Sequence, residues 1–389
     1  MQPEKLMIVA GEESGDQHAA RLVRDLRKAR PGVELWGIGG TAMRREGVRI
    51  LVDSRVMAVL GLWEVLARIG FFRRVFKRMK DELRLHRPDA LLLVDYPGFN
   101  LRLARVAHDM KIPVFYYISP QVWAWNRGRI PKMARIIDLL MVIFPFETAV
   151  FEGTGLRTVF VGHPLVESVR RTMLSAPSGV DWPGGEGACR IAVLPGSRRM
   201  EIRRILPAQL AAALELRRRR PDAVFAIAAS NDETAAMVRR QIDALPEGDR
   251  AAFCVAVGKM RDVCRTARAA MVCSGTATVE TALLGCPMIV VYRAAWPTYW
   301  IGRMVIRVKW LGMVNLIADR TLCPEFIQND AQPAAMADAL EPLLDDGPER
   351  SAQLEGLRAV AASLEGNPAA GPGEVIAAEL ARRAAVEAT

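Results

Sequence analysis

Residues 271–292, MVCSGTATVETALLGCPMIVVY, contain two short apolar runs separated by a loop and a helix-like segment. Each run has the length of a strand buried on both faces, which is typical of parallel sheets covered by helices. The loop after the first run holds small and hydroxyl residues, and one acid, Glu280, follows it. The stretch predicts a strand–helix–strand unit whose loop lies beyond the carboxyl end of a strand, where open α/β sheets bind ligands.

The same alternation recurs along the chain and predicts two sheets. Apolar runs such as LMIVA, ALLLVDY and TVFVG alternate with helical patterns in the first half, and RIAVLPG, AVFAIAAS and AFCVAV restart the rhythm in the second. A segment rich in Gly, Pro and Ser separates the two series and is typical of a linker. We predict an α/β fold of two Rossmann-like, doubly wound parallel-sheet domains facing a cleft. The predicted bounds are 1–174 and 189–347 for the domains, 175–188 for the linker and 348–389 for a helical tail.

The composition favours a globular protein with an anionic partner. Hydrophobic residues make up 51% of the 389 residues, and 53 basic against 43 acidic side chains give a net charge of +10. This charge suits phosphorylated metabolites, nucleic acid or an anionic membrane, but no nucleic-acid-binding motif accompanies it, and we expect no nucleic acid. Six cysteines without a CxxC pair favour reduced thiols in a cytoplasmic protein and argue against zinc.

The chain shows no targeting or membrane-spanning signal. The N-terminal MQPEKLMIVAGEESGD has an early acid and no long apolar region before the loop. The longest stretch without a charged residue, residues 112–126, contains two prolines and is shorter than the roughly 20 apolar residues of a spanning helix. We expect a soluble or peripheral protein.

The first loop of interest, AGEESGD at residues 10–16, is acidic. Its carboxylates argue against a diphosphate and suit hydrogen bonds from sugar hydroxyls, and its glycines permit tight turns near a ligand. A capped helix start with Ser14 or Asp16 at the N-cap explains the same pattern equally well. The candidate acceptor-side residues of this loop are Gly11, Glu12, Ser14, Gly15 and Asp16.

The second loop begins with Asp95, which ends the buried run LLLVD and precedes Pro97 and Gly98. A carboxylate at the end of a strand can take a proton from a bound hydroxyl. A polar residue that only caps a turn is the alternative.

The third loop, VLPGSRR at residues 193–199, ends a strand and begins a helix with basic residues. Backbone N–H groups at a helix N-terminus and a guanidinium suit phosphate oxygens, so Gly196, Ser197 and Arg198 are candidate diphosphate contacts. The loop is not a P-loop, because GxxxxGK[ST] is absent. Arginines this early oppose the helix dipole, which weakens a purely structural explanation.

The fourth loop is the one in the opening stretch. Its small residues let backbone amides approach a pyrophosphate, and Glu280 can accept hydrogen bonds from two ribose hydroxyls. A helix N-terminus with a favourable acid explains the same residues without a ligand. The candidate diphosphate contacts are Ser274, Gly275, Thr276, Ala277 and Thr278.

Taken together, seven motifs resemble those of the bacterial lipid-A-disaccharide synthase family in order and spacing. They are GEESGD, VDYPGFN, SPQVWAW, VGHPL, LPGSR, SGTATVE and NLIADR…CPEFIQ. The resemblance covers residues 6–343, and seven motifs in register are far more specific than any one of them. Family members more often carry GEASGD, so Glu13 is a departure.

The resemblance implies a GT-B glycosyltransferase that binds its nucleotide-sugar donor mainly in the C-terminal domain, residues 189–347, and whose N-terminal domain, residues 1–174, meets the acceptor and the membrane. The family joins UDP-diacylglucosamine to diacylglucosamine 1-phosphate with inversion and releases UDP. The resemblance implies that Asp95 is the base, that Arg198 binds the diphosphate and that Glu280 binds the ribose. Asn315 and Gln328 match polar family positions near the active site. We expect no cofactor and no metal, because no DxD-type site lies near the donor loops and Arg198 with helix amides can supply the charge.

Residues 56–80, VMAVLGLWEVLARIGFFRRVFKRMK, combine an apolar series at helical spacing, which includes Met79, with interspersed basic residues. An interfacial helix on anionic lipid needs this combination, and an ordinary helix packed on its own sheet is the alternative. A second aromatic and basic candidate is residues 296–314. We expect peripheral association with the cytoplasmic face of the inner membrane, and a homodimer stays open. The predicted membrane-facing residues are Leu62, Trp63, Leu66, Ile69, Phe72, Arg73 and Arg74.

Two other classes remain open at this point. One is another enzyme of similar architecture, either a UDP-N-acetylglucosamine epimerase or a GT-B transferase such as the peptidoglycan one, although a water-soluble sugar needs no acyl-contacting face. The other is a non-catalytic peripheral protein that binds nucleotide sugars. Asp95 opposite the donor loops argues against the second class.

Overall fold

The computed structural model describes residues 4–57, 69–185, 187–296, 299–300, 308–366 and 371–387. The chain divides into two compact units, of which the first is Met1–Pro164 with Glu365–Thr389 and the second is Leu165–Leu364. Each unit contains a parallel β-sheet with helices in the connections. The prediction of two parallel-sheet α/β domains is therefore confirmed.

The sheet of the first unit has the strand order β3-β2-β1-β4-β5-β6-β7. Its strands are β1 (Lys5–Ala10), β2 (Glu34–Gly39), β3 (Arg49–Asp53), β4 (Ala90–Val94), β5 (Val114–Tyr117), β6 (Leu139–Val142) and β7 (Arg157–Phe160). The helices described along this part of the chain are α1 (Glu13–Ala29), α2 (Thr41–Arg45), α3 (Ser54–Met57), α4 (Ile69–His86), α5 (Pro97–Asp109), α6 (Val122–Trp125), α7 (Ile130–Ile136) and α8 (Glu147–Val150).

The sheet of the second unit has the order β10-β9-β8-β11-β12-β13. Its strands are β8 (Cys189–Leu194), β9 (Ala223–Ala229), β10 (Phe253–Val257), β11 (Ala269–Cys273), β12 (Met288–Tyr292) and β13 (Glu325–Ile327). The helices described here are α9 (Pro164–Met173), α10 (Arg199–Arg219), α11 (Asp232–Asp243), α12 (Glu247–Arg250), α13 (Met260–Thr266), α14 (Thr276–Leu283), α15 (Met313–Ala318), α16 (Pro333–Leu340) and α17 (Pro348–Leu364).

Buried apolar strands explain why both sheets are covered on two faces. In β4 all five residues are buried, and Leu91 and Leu93 pack into one core of the first unit while Leu92 and Val94 pack into the other. Successive side chains of a strand point to opposite faces, so a continuous apolar run fills two cores at once.

The strand order reverses next to β1 in the first sheet and next to β8 in the second. Ala10 of β1 pairs with Val94 of β4, and Leu194 of β8 pairs with Val272 of β11. The loops that follow these four strands therefore start side by side in each sheet, at the point where doubly wound folds bind ligands.

The C-terminal helix α18 (Pro372–Glu387) belongs to the first unit. Its apolar side chains, including Ile376 and Leu380, pack into the core that α1 covers. Its fully buried Glu379 accepts a hydrogen bond from Arg157 at 2.6 Å, and Arg383 donates to Asp138 at 2.7 Å. These contacts hold the C-terminal helix α18 against the sheet of the first unit.

The unit boundaries differ from the bounds expected from composition. Helix α9 lies before the predicted linker, yet it groups with the second unit because Arg261 and Arg265 of α13 donate to its last turns. The predicted tail divides, since α17 packs in the second unit and α18 in the first. Long-range packing sets both boundaries, and composition does not report it.

Candidate active site

In the first unit, Asp95 follows β4 at the switch point and begins a strained turn. Asp95 and Tyr96 both have left-handed backbone conformations, with φ of 46° and 49°. The carbonyl of Asp95 accepts hydrogen bonds from Asn100 Nδ2 at 2.7 Å and from the Tyr116 hydroxyl at 2.6 Å. Such strain costs about 1–3 kcal/mol per residue and persists only where the surroundings enforce it. These hydrogen bonds hold the backbone of the turn that carries the Asp95 side chain.

The environment of Asp95 suits proton transfer. Burial, together with the charge of Glu12, raises the pKa of Asp95 to about 6, although a backbone hydrogen bond from Tyr96 opposes the shift. A general base works best when its pKa lies near the working pH. Glu12 therefore lies in the electrostatic range of Asp95, and the raised pKa is compatible with the predicted role of Asp95 as a base.

The acidic loop before α1 contains one residue with a structural function. Asp16 is buried, and its carboxylate accepts hydrogen bonds from the backbone N–H groups of Gly40, Ala42 and Met43 at 2.7, 2.9 and 3.0 Å. Asp16 thus caps α2 across the fold. Neither Ser14 nor Asp16 is the N-cap of α1, because that helix begins at Glu13 and its N-cap is Glu12.

The remaining residues of the loop differ in exposure. Glu12 and Ser14 are exposed, whereas Gly11 and Gly15 are buried. A Cβ atom on Gly11 would lie 2.3 Å from Cδ1 of Tyr96, so the ring after Asp95 requires glycine there. Glu12 and Ser14 are the exposed polar groups of the predicted set in this loop.

Two histidines of the first unit were not assigned a role from sequence. Burial lowers the pKa of His18 in α1 and of His163 in the VGHPL motif to about 4, and the two rings lie in each other's electrostatic range. The neighbouring Arg21 donates to the carbonyl of Pro164 at 3.0 Å. Both imidazoles are therefore neutral at physiological pH. One lies in α1 and the other in the VGHPL loop, and the Arg21 hydrogen bond connects these two segments.

The SPQVWAW motif packs into the first unit. The indole Nε1 of Trp123 donates to Glu147 at 3.1 Å, and the same carboxylate accepts hydrogen bonds from the backbone N–H groups of Ile143 and Phe144. Burial raises the pKa of Glu147 to about 7. This motif fixes the loop that follows β6.

In the second unit, the loops after β8 and β11 line one pocket of about 460 Å³. The loops after β9 and β10, which contain Ser230 and Gly258, complete the lining of this pocket. The predicted residues that line it are Gly196, Ser197, Arg198, Ser274, Gly275, Thr276, Ala277 and Glu280. Thr278 does not line it, because its side chain is buried and its Oγ1 donates to the carbonyl of Gly275 at 2.8 Å.

Two glycines shape the pocket through their backbone conformation. Gly196 has a φ of 106° and Gly275 a φ of 140°, a region that L side chains rarely adopt. Gly275 is also the N-cap of α14, so the first N–H groups of that helix face the loop. The backbone here is suited to close approach by a phosphate.

Glu201 is a pocket residue that sequence reasoning missed. Its Oε2 accepts hydrogen bonds from the N–H groups of Ser197 and Arg198 at 3.0 and 3.1 Å. An acid three residues after an N-cap commonly forms this contact, and that spacing was the available signal. The Arg198 side chain is 81% exposed, and its Nη1 donates a hydrogen bond to Oε1 of the same Glu201 at 3.4 Å, so Glu201 pairs with both the backbone N–H and the guanidinium of Arg198.

Glu280 is held by a second missed residue, Arg261 of α13. The Nε of Arg261 donates to Oε1 of Glu280 at 2.5 Å. Nη1 of the same guanidinium donates to the carbonyl of Ser168 at 3.0 Å and to Thr172 Oγ1 at 2.8 Å. One oxygen of Glu280 is thus fixed by a cation that is itself held by α9.

Asn315 makes its hydrogen bonds within the protein. Its Nδ2 donates to the Cys323 carbonyl and to Glu325, and its Oδ1 accepts from the N–H groups of Leu322 and Cys323. Glu325 in turn accepts from the N–H groups of Leu311 and Gly312. Ser274 Oγ donates to the Leu311 carbonyl at 2.7 Å. The network ties the NLIADR motif to the pocket loop.

Gln328 likewise contacts backbone. Its side chain accepts from the N–H of Ala294 at 2.6 Å and donates to the carbonyl of the same residue at 3.2 Å. Gln328 has a φ of 55°, so the exchange of hydrogen bonds also stabilises an unfavourable backbone conformation.

The predicted membrane-facing helix is described from Ile69 onward, and Leu62, Trp63 and Leu66 lie outside the described residues. Ile69 is 47% exposed, Phe72 is half-buried, and Arg73 and Arg74 are exposed. Met79, a member of the same apolar series, is fully buried with Val75 and Leu83. Met79 therefore belongs to the core and not to a membrane face. Among the helices that the structure describes, none has the length and apolar character needed to cross a bilayer.

Comparison with known proteins gives a family match over nearly the whole chain. The family model "Lipid-A-disaccharide synthetase" matches residues 6–369. The lipid-A-disaccharide synthase of Geobacter sulfurreducens is 40% identical over 350 residues, or 88% of each chain. That of Syntrophus aciditrophicus is 41% identical over 358 residues, or 92% of each chain.

Solved structures share the fold at low sequence identity. UDP-GlcNAc 2-epimerase from Neisseria meningitidis gives a TM-score of 0.61 at 10% identity, covering 97% of this chain and 100% of that one. MurG from Acinetobacter baumannii gives 0.58 at 12% identity, covering 98% and 100%. These likenesses extend over both units and concern the fold alone.

Proposed function

Because the chain belongs to the lipid-A-disaccharide synthase family of glycosyltransferases, we propose that it joins UDP-diacylglucosamine to diacylglucosamine 1-phosphate, with UDP in the second unit and Asp95 as the base. The observation that carries this proposal is the pocket at the switch point of the second sheet. It combines Arg198, the helix N-terminus after Gly275 and the carboxylate of Glu280.

The pocket offers complementary groups for the diphosphate and the ribose of UDP. Arg198 and the backbone N–H groups after Gly275 bind the diphosphate, since a guanidinium and a helix N-terminus both stabilise phosphate oxygens. The free oxygen of Glu280 accepts hydrogen bonds from ribose hydroxyls, while Arg261 holds the other oxygen. The Glu201 carboxylate accepts hydrogen bonds from the backbone N–H groups of Ser197 and Arg198. These two N–H groups can therefore bind an anion only when the Glu201 side chain moves away.

The proposed reaction is a single displacement. Asp95 takes the proton of the acceptor hydroxyl, and the hydroxyl oxygen attacks the anomeric carbon of the donor. The bond from that carbon to the diphosphate oxygen breaks, so UDP leaves and the configuration inverts. Arg198 stabilises the charge that develops on the diphosphate, and this charge stabilisation lowers the barrier.

We also propose that α4 brings the enzyme to an anionic membrane surface. The substrates are acylated, and the exposed Ile69 and half-buried Phe72 stand beside basic side chains on this helix. Apolar side chains next to Lys and Arg favour the interface of an anionic bilayer.

The test is UDP release with each acylated substrate alone and with both together. We expect release only with both, at the same rate in EDTA, because Arg198 and helix amides supply the charge. Turnover of the donor alone would indicate an epimerase or a hydrolase, and binding without release would indicate a non-catalytic protein. A rate lost in EDTA and restored by Mg²⁺ would contradict the metal-free reaction.

A further inference from the structure

A groove of about 690 Å³ lies between α4 and α5 in the first unit. Its apolar lining includes Ile69, Phe72, Phe76 and Phe99. The rings of Phe76 and Phe99 pack edge to face with centroids 5.5 Å apart, and Phe99 also contacts the Tyr96 ring at 6.4 Å. The groove thus has an aromatic floor that suits a flexible hydrocarbon chain.

Four cations surround this floor. Arg73, Lys77 and Lys80 are spaced four and three residues apart on α4, which places them on one helix face. Arg102 joins them from α5. Within the described part of the chain, none of these four side chains forms a hydrogen bond or an ion pair.

This arrangement differs from other arginine clusters on the protein. In α10, Arg218 and Arg219 both pair with Glu215, and Arg219 also reaches Asp338. Like charges at helical spacing repel, and among the described residues that line the groove there is no carboxylate to offset them. An anion with several oxygens would relieve the repulsion, and phosphate oxygens form charge-assisted hydrogen bonds with both Arg and Lys.

The groove also adjoins the proposed base. Tyr96 lines the groove and directly follows Asp95, and Gly98 and Phe99 of the lining begin α5. A ligand in the groove therefore reaches the turn that presents the Asp95 carboxylate. This continuity favours a substrate of the reaction over a bulk membrane lipid.

We propose that this groove binds the acceptor, with its phosphate monoester among Arg73, Lys77, Lys80 and Arg102 and one acyl chain on the aromatic floor. The inference rests on the proposed function and adds which cations of the first unit hold the phosphate of the acceptor. The phosphate sets the orientation, so that a sugar hydroxyl lies at Asp95.

The test compares two groove variants with a control on the same helix. Lys77→Ala and Arg102→Ala each remove one groove cation, whereas Arg78→Ala removes an exposed cation of α4 that does not line the groove. Calorimetry measures the affinity for diacylglucosamine 1-phosphate alone in mixed micelles, so the result does not depend on turnover. All three positions are exposed, and thermal melts check that the variants fold.

We expect the groove variants to bind the acceptor about tenfold more weakly, the loss typical of one charge-assisted hydrogen bond, and Arg78→Ala to bind normally. With diacylglucosamine that lacks the phosphate, the groove variants and the native protein should bind equally. Donor affinity should not change in any variant.

Equal losses of acceptor affinity in the groove variants and the control would show that these cations act only by attracting the lipid surface. This result would overturn the proposed acceptor site. Unchanged acceptor affinity in Lys77→Ala and Arg102→Ala would overturn it too. Specific acceptor binding that depends on Lys77, without UDP release when both substrates are present, would support the groove and contradict the proposed function instead.

Discussion

The Nε of Arg261 donates a hydrogen bond to Oε1 of Glu280 at 2.5 Å, across 19 residues of sequence. The same guanidinium binds the Ser168 carbonyl and the Thr172 hydroxyl of α9. Because Glu280 lines the proposed UDP pocket, the direction of its carboxylate depends on α13 and α9. Arg261 therefore positions the carboxylate that is proposed to contact the ribose.

We predict that Arg261→Ala weakens UDP binding by about 1–2 kcal/mol, because Glu280 loses the cation that orients it. Calorimetry with UDP measures the change, and kcat at saturating donor should stay nearly constant. With 2′-deoxy-UDP the loss should be smaller, since part of the affected contact is then absent in both proteins.

Arg265→Ala is the matched control for this prediction. Arg265 donates to the carbonyls of Thr172 and Ser175, so its loss also loosens α9, but no hydrogen bond joins it to Glu280. Equal effects of Arg261→Ala and Arg265→Ala would mean that both residues only hold the helix.

The sequence predicts the sheets well but the boundaries of the units less well. Buried strands such as β4 are continuous apolar runs, and this pattern is a local property of the chain. The grouping of α18 with the first unit depends on contacts such as Arg157 with Glu379, 222 residues apart. No local sequence pattern indicates a contact between residues so far apart in the chain. The division of the tail between the two units could therefore not be predicted.

The site shows the same limit. The sequence motifs identified the pocket loops after β8 and β11. They could not distinguish residues that contact a ligand from residues whose side chains hydrogen-bond within the protein. Asp16 and Asn315 use their side chains on backbone groups of the fold, and Thr278 faces inward. Arg261 was missed because it belongs to no motif and meets Glu280 only through tertiary packing.

Replacement of Glu280 itself should have a larger effect. We predict that Glu280→Ala weakens UDP binding by about 1–3 kcal/mol, because the partly buried carboxylate that is proposed to accept hydrogen bonds from ribose hydroxyls is lost. Glu233→Ala is the control, since Glu233 forms an exposed ion pair with Arg199 in the same unit. Unchanged UDP affinity in Glu280→Ala would remove this residue from the ribose contact.

Membrane association should depend on the exposed part of α4. We predict that replacing Ile69 and Phe72 with serine shifts protein from the membrane to the soluble fraction, and that salt partly releases the native protein. Met79→Ser is the contrast, because Met79 is fully buried and its replacement should lower the melting temperature. A double variant that melts early without changing its membrane fraction would assign Ile69 and Phe72 to the core.

The raised pKa of Asp95 also predicts a pH-dependent stability difference. Burial raises this pKa from 3.8 to about 6, so the folded state binds the proton more tightly than the unfolded state. Its stabilising contribution is fully present below about pH 4 and is lost as pH rises through about 6. Asp95→Asn should therefore raise the melting temperature more at pH 8 than at pH 4.5. Glu147, whose pKa is raised to about 7, titrates in the same pH range. It is present in both proteins, so its effect on the melting temperature largely cancels in the difference. An equal change at both pH values would mean that Asp95 is not desolvated.

The same carboxylate should control the rate. A sugar hydroxyl is a poor nucleophile at neutral pH, and a positioned base contributes about 10²–10⁴-fold. Asp95→Asn keeps the shape of the side chain but loses its basicity, so the rate should fall by that factor. UDP affinity should stay unchanged, because the proposed UDP contacts lie in the other unit. In the native enzyme kcat should fall about tenfold per pH unit below about 6, as the carboxylate is protonated.

The UDP affinity of Asp95→Asn separates a base from a structural residue. A fall in both the rate and UDP affinity would mean that Asp95 organises the fold and not the proton transfer. A near-normal rate would transfer the role to Glu12, which is exposed and within electrostatic range of Asp95. Asp16 is a weaker substitute, because its oxygens already accept hydrogen bonds from three backbone N–H groups of the fold.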